Sequence, residues 1–191
     1  LESGMVADGP EVRAFERAFA EHCGVTHAVA TSNGTTALHT ALTALGIGAG
    51  DRVVTTPLSF VASANAIRLA GARPVFADID PDTYTLDPDA TRDAVRDTDA
   101  DAILAVHLYG LPADMASLSD IAATEDVVLI EDAAQAHGAT YNGESVGTVG
   151  DAAAFSFYPT KNMTTGEGGM VLTEDATVAD RAASFINHGR T

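Results

Sequence analysis

The stretch ILAVHLYGLPADMASLSDIAATEDVVLIED, residues 103–132, decides the fold class. It opens with a short apolar run that predicts a strand over Ile103–His107 and continues through a segment at helical spacing, Met115–Thr124. It ends on a second run rich in β-branched residues, which predicts a strand over Val127–Glu131. Two strands connected by a helix form a βαβ unit, in which the strands are parallel. The stretch therefore predicts an α/β domain with a largely parallel sheet.

The same alternation continues in both directions along the chain, and no internal repeat or low-complexity linker interrupts it. Short β-branched runs predict further strands over His27–Thr31, Val53–Thr55, Pro74–Ala77, Ala153–Phe157 and Gly169–Leu172. Helical periodicity predicts helices over Pro10–His22, Thr35–Leu45, Ala62–Leu69 and Pro88–Val95, and one that begins near Asp175. We therefore expect one domain that spans residues 1–191.

The composition excludes several classes of protein. A formal net charge of −17, from 27 acidic and 10 basic residues, disfavours binding to nucleic acid or to an anionic membrane. No apolar run is long enough to span a bilayer, and Cys23 alone can form neither an intrachain disulfide nor a structural zinc site. We expect a cytoplasmic protein without a metal site.

The acidic residues are spread along the chain, with many Asp beside Ala, Val and Thr. This pattern suits a protein that stays soluble in concentrated salt, where screening removes much of the self-repulsion. It predicts the surface of a halophile's protein, and an ordinary acidic bacterial protein is the alternative.

Lys161 is the only lysine in the sequence, beside nine arginines. Where a positive charge alone is needed this chain uses arginine, so the retained lysine predicts a role for a primary amine that can lose its proton and attack a carbonyl. Lys161 follows a predicted strand in a loop rich in small and polar residues. An exposed surface lysine is the alternative.

Asp132 ends a predicted strand, so its carboxylate should project from the carboxyl edge of the sheet, where α/β proteins bind ligands. The alternative for Asp132 is a helix cap, since Ala-Ala-Gln-Ala follows. Ser32-Asn-Gly-Thr-Thr36 lies between a strand and a helix, where free amides and the hydroxyls of Thr35 and Thr36 suit a phosphate. Ser156 could add a hydroxyl to the same phosphate, and Phe60 could stack on an aromatic ring or belong to the core.

Two further motifs are decoys. Residues 46–50, GIGAG, resemble part of a dinucleotide fingerprint but follow a helix and precede a strand, which is the wrong order for that motif. Residues 143–147, GESVG, match the G-x-S-x-G nucleophile elbow but lie among turn residues. We expect a turn at each place and no hydrolase centred on Ser145.

Four motifs together resemble the DegT/DnrJ/EryC1/StrS family of sugar aminotransferases across nearly the whole chain. They are SNGTTAL (32–38), PLSFVASAN (57–65), EDAAQAHG (131–138), and FSFYPTK (155–161) with GEGG (166–169). The resemblance implies fold type I of the pyridoxal-phosphate (PLP) enzymes, whose large domain is a three-layer α/β/α structure with a mixed, mostly parallel sheet.

The resemblance also implies roles for individual residues. It makes Lys161 the residue that holds PLP as a Schiff base and Asp132 the partner of the ring nitrogen. It implies ring contacts from Phe60 and Gln135 and phosphate contacts from Thr35, Thr36 and Ser156. Tyr158, His107 and His188 are further candidates for the sugar side of the site.

The reaction that the resemblance implies is transfer of an amino group from glutamate or glutamine to a nucleotide-linked keto sugar, carried out by a homodimer. Dehydratases of the same family carry His in place of the lysine, so Lys161 argues against that activity. Family members also have an N-terminal segment and a C-terminal small domain beyond the residues present here, which suggests a fragment. The alternative function is a non-catalytic fragment or regulatory paralogue that keeps the fold and binds PLP without turnover.

Overall fold

The computed structural model describes residues 9–190, so positions 1–8 and 191 of the predicted domain lie outside the described residues. The described helices are α1 (Pro10–Cys23), α2 (Gly34–Ala44), α3 (Ala62–Leu69), α4 (Pro88–Thr98), α5 (Met115–Glu125) and α6 (Ala176–Ile186). The strands are β1 (His27–Thr31), β2 (Arg52–Thr55), β3 (Arg73–Phe76), β4 (Ala102–Val106), β5 (Val128–Asp132), β6 (Thr140–Tyr141), β7 (Glu144–Ser145), β8 (Ala152–Ser156) and β9 (Gly169–Thr173).

The main sheet of the described part has seven strands in the order β1-β9-β8-β5-β4-β2-β3. Strands β2, β3, β4, β5 and β8 pair in parallel, whereas β9 is antiparallel to both β8 and β1. The predicted mixed, mostly parallel sheet is confirmed. Because all strands except β9 run in one direction, the segments that follow β1, β2, β4, β5 and β8 meet at one edge of the sheet.

Helices cover both faces of this sheet, which makes the three predicted layers. The side chains of β4 alternate between them: Leu104 packs into the core under α2, α3 and α6, whereas Ile103 and Ala105 pack into the core under α4 and α5. A third core lies between α1 and the strands β8 and β9. All five residues of β4 are buried, as expected for a central parallel strand covered on both faces.

Local sequence signals place the helix ends. Pro10 lies in the first turn of α1, and Gly24 closes that helix in the left-handed conformation at φ 80°. The side chain of Asn33 accepts a hydrogen bond from the backbone of Thr36 and so caps α2. In α6 the side chain of Asp175 caps the first turn in the same way.

Both decoy motifs lie in turns, as predicted. Residues 46–50 connect α2 to β2, with Gly46 and Gly50 at positive φ. Residues 143–147 form the end of the small β6–β7 hairpin and the turn after it, and no helix follows Ser145 as a nucleophile elbow would require. Within residues 9–190, no helix combines the length and apolar character needed to cross a membrane.

Candidate active site

A cavity of about 380 Å³ opens at the edge of the sheet where the parallel strands end. Six of the seven predicted site residues line it: Thr35, Phe60, Asp132, Gln135, Ser156 and Lys161. They lie at the ends of four different strands or in the segments that follow them, so the sheet brings together residues as distant in the sequence as Thr35 and Lys161. Thr36 instead lines an adjoining recess with Asn33, Thr35 and Glu167, which also border the cavity.

Asp132 lies at the inner wall of the cavity with only 6% of its surface exposed. Its Oδ2 accepts a hydrogen bond of 2.7 Å from the Ser63 hydroxyl, and its Oδ1 accepts one of 3.2 Å from the backbone N–H of Ala134. Burial raises the pKa of the Asp132 carboxyl, and the Ser63 hydroxyl and the Ala134 N–H oppose that rise. The helix-cap alternative is wrong, because residues 133–138 form turns and not a helix.

Glu131, the residue before Asp132, is completely buried, and its hydrogen bonds hold the end of β5 in place. Its carboxylate accepts hydrogen bonds from the His107 ring at 2.9 Å and from the backbone N–H groups of Gly147, Val149 and Gly150. Burial alone would raise the pKa of Glu131, but these donors together lower it. The network ties the turn after β7 to the carboxyl ends of β4 and β5, and so holds the strand that presents Asp132.

His107 does not line the sugar side of the site, in contrast to the sequence-based expectation. Its side chain is fully buried, and the backbone N–H of Ala113 donates to Nδ1, so Nε2 carries the proton that is donated to Glu131. His188 lies beyond the end of α6 and is not part of the cavity lining. Of the three residues considered for that side, Tyr158 is the one that lines the cavity.

The start of α2 forms the polar end of the cavity. Asn33 caps the helix, and the first turn leaves backbone N–H groups without intrahelical acceptors beside the Thr35 side chain. Ser156 packs directly against this turn: a Cβ added to Gly34 would lie 2.6 Å from the Ser156 Cβ. Glycine at position 34 is therefore what allows the Ser156 hydroxyl and the helix start to face the same volume.

Lys161 lies in the loop between β8 and β9, which folds back on the end of β8. The backbone N–H of Lys161 donates to the carbonyl of Tyr158 at 2.9 Å, and the Thr164 hydroxyl and Thr165 N–H both donate to the carbonyl of Phe157. These bonds fix the loop over the strand end and hold the lysine at the cavity that Asp132 also lines.

Gln135 is oriented by a strained turn that sequence reasoning did not find. The backbone N–H of Tyr109 donates to Gln135 Oε1 at 2.8 Å, which leaves the side-chain NH₂ of Gln135 as the donor for the cavity. Tyr109 adopts φ 53°, a conformation that a bulky residue rarely takes. Residues with such backbone strain cluster at functional sites.

His137 supplies a neutral ring next to the lysine loop. Its ring contacts those of Phe19, Phe155 and Phe157, with centroid separations of 6.4, 5.3 and 5.2 Å. Burial, with a smaller effect from the positive charge of Lys161, lowers the pKa of His137 to about 4. The imidazole is therefore uncharged near pH 7 and adds no charge to compete with Lys161.

Comparison with known proteins identifies relatives of this chain. The chain is 50% identical over 175 residues to GDP-perosamine synthase of Caulobacter vibrioides, covering 92% of this chain and 47% of that protein. It is 47% identical over 178 residues to L-glutamine:2-deoxy-scyllo-inosose aminotransferase of Streptomyces lividus, covering 93% of this chain and 42% of that protein.

A solved structure, that of Streptomyces venezuelae DesV in complex with a ketimine intermediate, superposes with a TM-score of 0.95 at 43% identity. The alignment covers 99% of this chain and 51% of that one. The chain thus spans about half the length of the curated relatives it matches. The model of the DegT/DnrJ/EryC1/StrS aminotransferase family matches residues 1–191, and the chain belongs to that family.

Proposed function

We propose that this chain is the PLP-binding part of an aminotransferase that moves an amino group from glutamate or glutamine to a nucleotide-linked keto sugar. The observation that carries the proposal is the single cavity in which Lys161, the buried Asp132 and the start of α2 meet. An amine, an acceptor for a ring N–H and a phosphate-binding helix start are the three groups that hold PLP in an enzyme.

The residues present fit that cofactor. Asp132 has one protein donor on each carboxylate oxygen, which leaves acceptor capacity for a ring nitrogen. The start of α2, Thr35 and Ser156 offer donors suited to a phosphate, and Phe60 lies at the border as an aromatic surface for a ring. Gln135 adds a side-chain donor.

Bound PLP would supply an aldehyde that condenses with amines and a ring that takes up electron density. Lys161 would hold the aldehyde carbon through Nζ and, once released by the incoming amine, would move a proton at the α-carbon of the amino donor. Asp132 would keep the proton on the ring nitrogen. Tyr158 and Glu167, on the open side of the cavity, would contact the substrates.

The choice of amino donor and acceptor is supported by what the relatives are called. The Caulobacter protein is named for the synthesis of a GDP-linked amino sugar, and the Streptomyces lividus protein is named for glutamine as donor. The deciding experiment incubates the protein with PLP, glutamate or glutamine, and a panel of GDP- and dTDP-linked keto sugars, with mass spectrometry of the products. An amino sugar product is expected. PLP binding with no amine transferred to any acceptor would favour the non-catalytic alternative.

The homodimer that we also propose would cover an apolar rim beside the cavity, formed by Leu58, Phe60, Val61, Tyr109, Leu111, Tyr158 and Met163. Tyr109 is 87% exposed and Phe60 66% exposed, and grouped apolar exposure of this kind marks interfaces. These residues follow β2, β4 and β8 and lie at the same edge of the sheet. A second copy would meet the first through this self-complementary surface.

Charged substitutions in the apolar rim should therefore dissociate the dimer. Val61→Glu and Leu111→Glu are expected to raise the dimer dissociation constant at least about tenfold, the effect of 1.4 kcal/mol, because each buries an unpaired charge. Tyr84→Glu is the control, since Tyr84 is 56% exposed outside the rim. Sedimentation equilibrium measures the constant, and a wild-type protein that is monomeric at all concentrations would refute the dimer.

The halophilic surface and the cytoplasmic location stay predictions from composition. With a net charge of −17, the thermal stability of the protein should continue to rise between 0.2 and about 3 M KCl, beyond the range that screens ordinary surface charge. A gain of about 2 kcal/mol would raise Tm by roughly 4–8 °C for a domain of this size. Calorimetry measures Tm, and a flat curve across that range would contradict the prediction.

A further inference from the structure

We infer that Ser63 is a positioning residue: with Ser59 it forms a chain of hydroxyl groups that keeps Asp132 ionised and aimed into the cavity. This inference rests on the proposed function, because its purpose is to hold a proton on the ring nitrogen of PLP. Both serines lie in the segment 57–65.

The distances between the hydroxyl groups and Asp132 indicate which group donates to which. Ser63 Oγ lies 2.7 Å from Asp132 Oδ2 and 2.7 Å from Ser59 Oγ. With Asp132 ionised, as the proposed function requires, its carboxylate only accepts hydrogen bonds, so the single hydroxyl hydrogen of Ser63 goes to Asp132 and Ser63 accepts from Ser59. The carbonyl of Phe60 is the competing acceptor for Ser63, at the longer distance of 3.3 Å. Ser59 lines the cavity, so the chain of hydroxyl groups runs from the cavity wall to the buried carboxylate.

Because Asp132 is buried, its ionised form needs hydrogen-bond donors from the protein. Ser63 is 1% exposed and Asp132 6%, so neither exchanges its partner readily for water. Desolvation favours the neutral acid and raises the pKa of Asp132, and the Ser63 hydroxyl opposes that rise more than the Ala134 N–H does. Glu131 adds no donor, since its carboxylate itself accepts from the His107 ring and from the 147–150 turn.

The position of Ser63 is fixed by its helix and not by the cavity. It is the second residue of α3, and its backbone N–H donates to the carbonyl of Phe60 at 3.2 Å. A hydroxyl held on a helix reaches Asp132 in one geometry, which fixes the carboxylate plane relative to the cavity. Without this donor, a neutral Asp132 would not hold a proton on the ring nitrogen, and the ring would take up less electron density.

The test compares Ser63→Ala, which removes the hydroxyl, with Ser63→Thr, which retains it. Ser59→Ala removes only the hydroxyl that donates to Ser63. Thr55→Val serves as the control, because the Thr55 hydroxyl is equally buried but donates to the carbonyl of Leu104 and not to Asp132. Carbon-13 NMR of labelled aspartate follows the Asp132 carboxyl in the protein without PLP. Nitrogen-15 NMR of PLP labelled at the ring nitrogen reports its protonation in the loaded protein.

We expect Ser63→Ala to raise the pKa of the Asp132 carboxyl by about one to two pH units, since a hydrogen bond to a charged group has that strength. The ring nitrogen of bound PLP should then lose its proton at lower pH than in the wild type. Ser63→Thr should restore both values, Ser59→Ala should shift them less in the same direction, and Thr55→Val should leave them unchanged.

The outcomes separate this inference from the proposed function. An unchanged Asp132 titration in Ser63→Ala, or in Ser59→Ala if the former does not fold, would overturn the role of Ser63 even if PLP binds normally. Failure of the wild type to bind PLP would overturn the proposed function, and the role of Ser63 in holding the ring proton with it. The carboxyl titration would then still decide whether Ser63 keeps Asp132 ionised.

Discussion

Replacing Lys161 by arginine is expected to lower amino transfer by about 10⁴- to 10⁶-fold, the loss seen when a central member of a catalytic unit is removed. Arginine keeps the positive charge but does not lose its proton at accessible pH, so it can neither hold the cofactor nor move the proton. No other lysine exists among the 191 residues to replace it. Steady-state kinetics with glutamate and the best keto sugar measures the effect.

Two further variants test whether the loss of activity comes from the missing amine of Lys161. Arg96→Ala removes an exposed cation that pairs with Glu125 and does not line the cavity, so it should leave the rate within about twofold. Lys161→Ala should recover part of the proton transfer when a small primary amine is added. A Lys161→Arg protein with more than a tenth of the wild-type rate would contradict the assignment.

Replacing Asp132 by asparagine is expected to slow the half-reaction with glutamate by about 10²- to 10³-fold, a typical cost for removing one charge-stabilising group. Asparagine has nearly the same shape and still accepts the hydrogen bond from Ala134, so the turn at 133–136 should persist. It lacks the negative charge that keeps a ring nitrogen protonated. Stopped-flow absorbance of the PLP-loaded protein after addition of glutamate measures this step.

Asp114→Asn is the matched control for Asp132→Asn. Asp114 also accepts a hydroxyl hydrogen bond, from Tyr141 at 2.6 Å, and a backbone N–H, but it caps α5 outside the cavity. Its replacement should lower stability by about 1 kcal/mol and leave the half-reaction unchanged. If the two substitutions had equal effects on the half-reaction, the role of Asp132 would be structural and the assignment to the ring nitrogen would be wrong.

Hydrophobic periodicity predicted most elements of the fold to within a few residues. The predicted strand Ile103–His107 is observed as Ala102–Val106, and the predicted helix Pro88–Val95 continues to Thr98. Periodicity could not show that β9 runs against its neighbours, because strand direction is set by the loop that precedes it. The β6–β7 hairpin was missed because its strands have only two residues each, too few for any alternation.

The candidate site was predictable where a motif carries its own chemistry. Lys161 and the start of α2 belong to short segments whose residue types indicate their chemistry: a primary amine at Lys161 and an anion site at the start of α2. Other parts of the site could not be predicted in this way. The hydrogen bond from Ser63 to Asp132 joins residues 69 positions apart in the sequence. The orientation of Gln135 depends on the strained backbone at Tyr109. Contacts of that kind exist only once the sheet has formed, which is also why the burial of His107 was not foreseen.

The most direct test of the central claim is chemical trapping of the cofactor. The protein is loaded with PLP and treated with sodium borohydride, which reduces a carbon–nitrogen double bond to a stable single bond, and the digest is then mapped by mass spectrometry. The account predicts the reduced pyridoxyl phosphate group on Lys161, in the peptide that contains residues 155–169, and none in the Lys161→Arg protein. A label on any other residue, or no label in a protein that binds PLP, would contradict it.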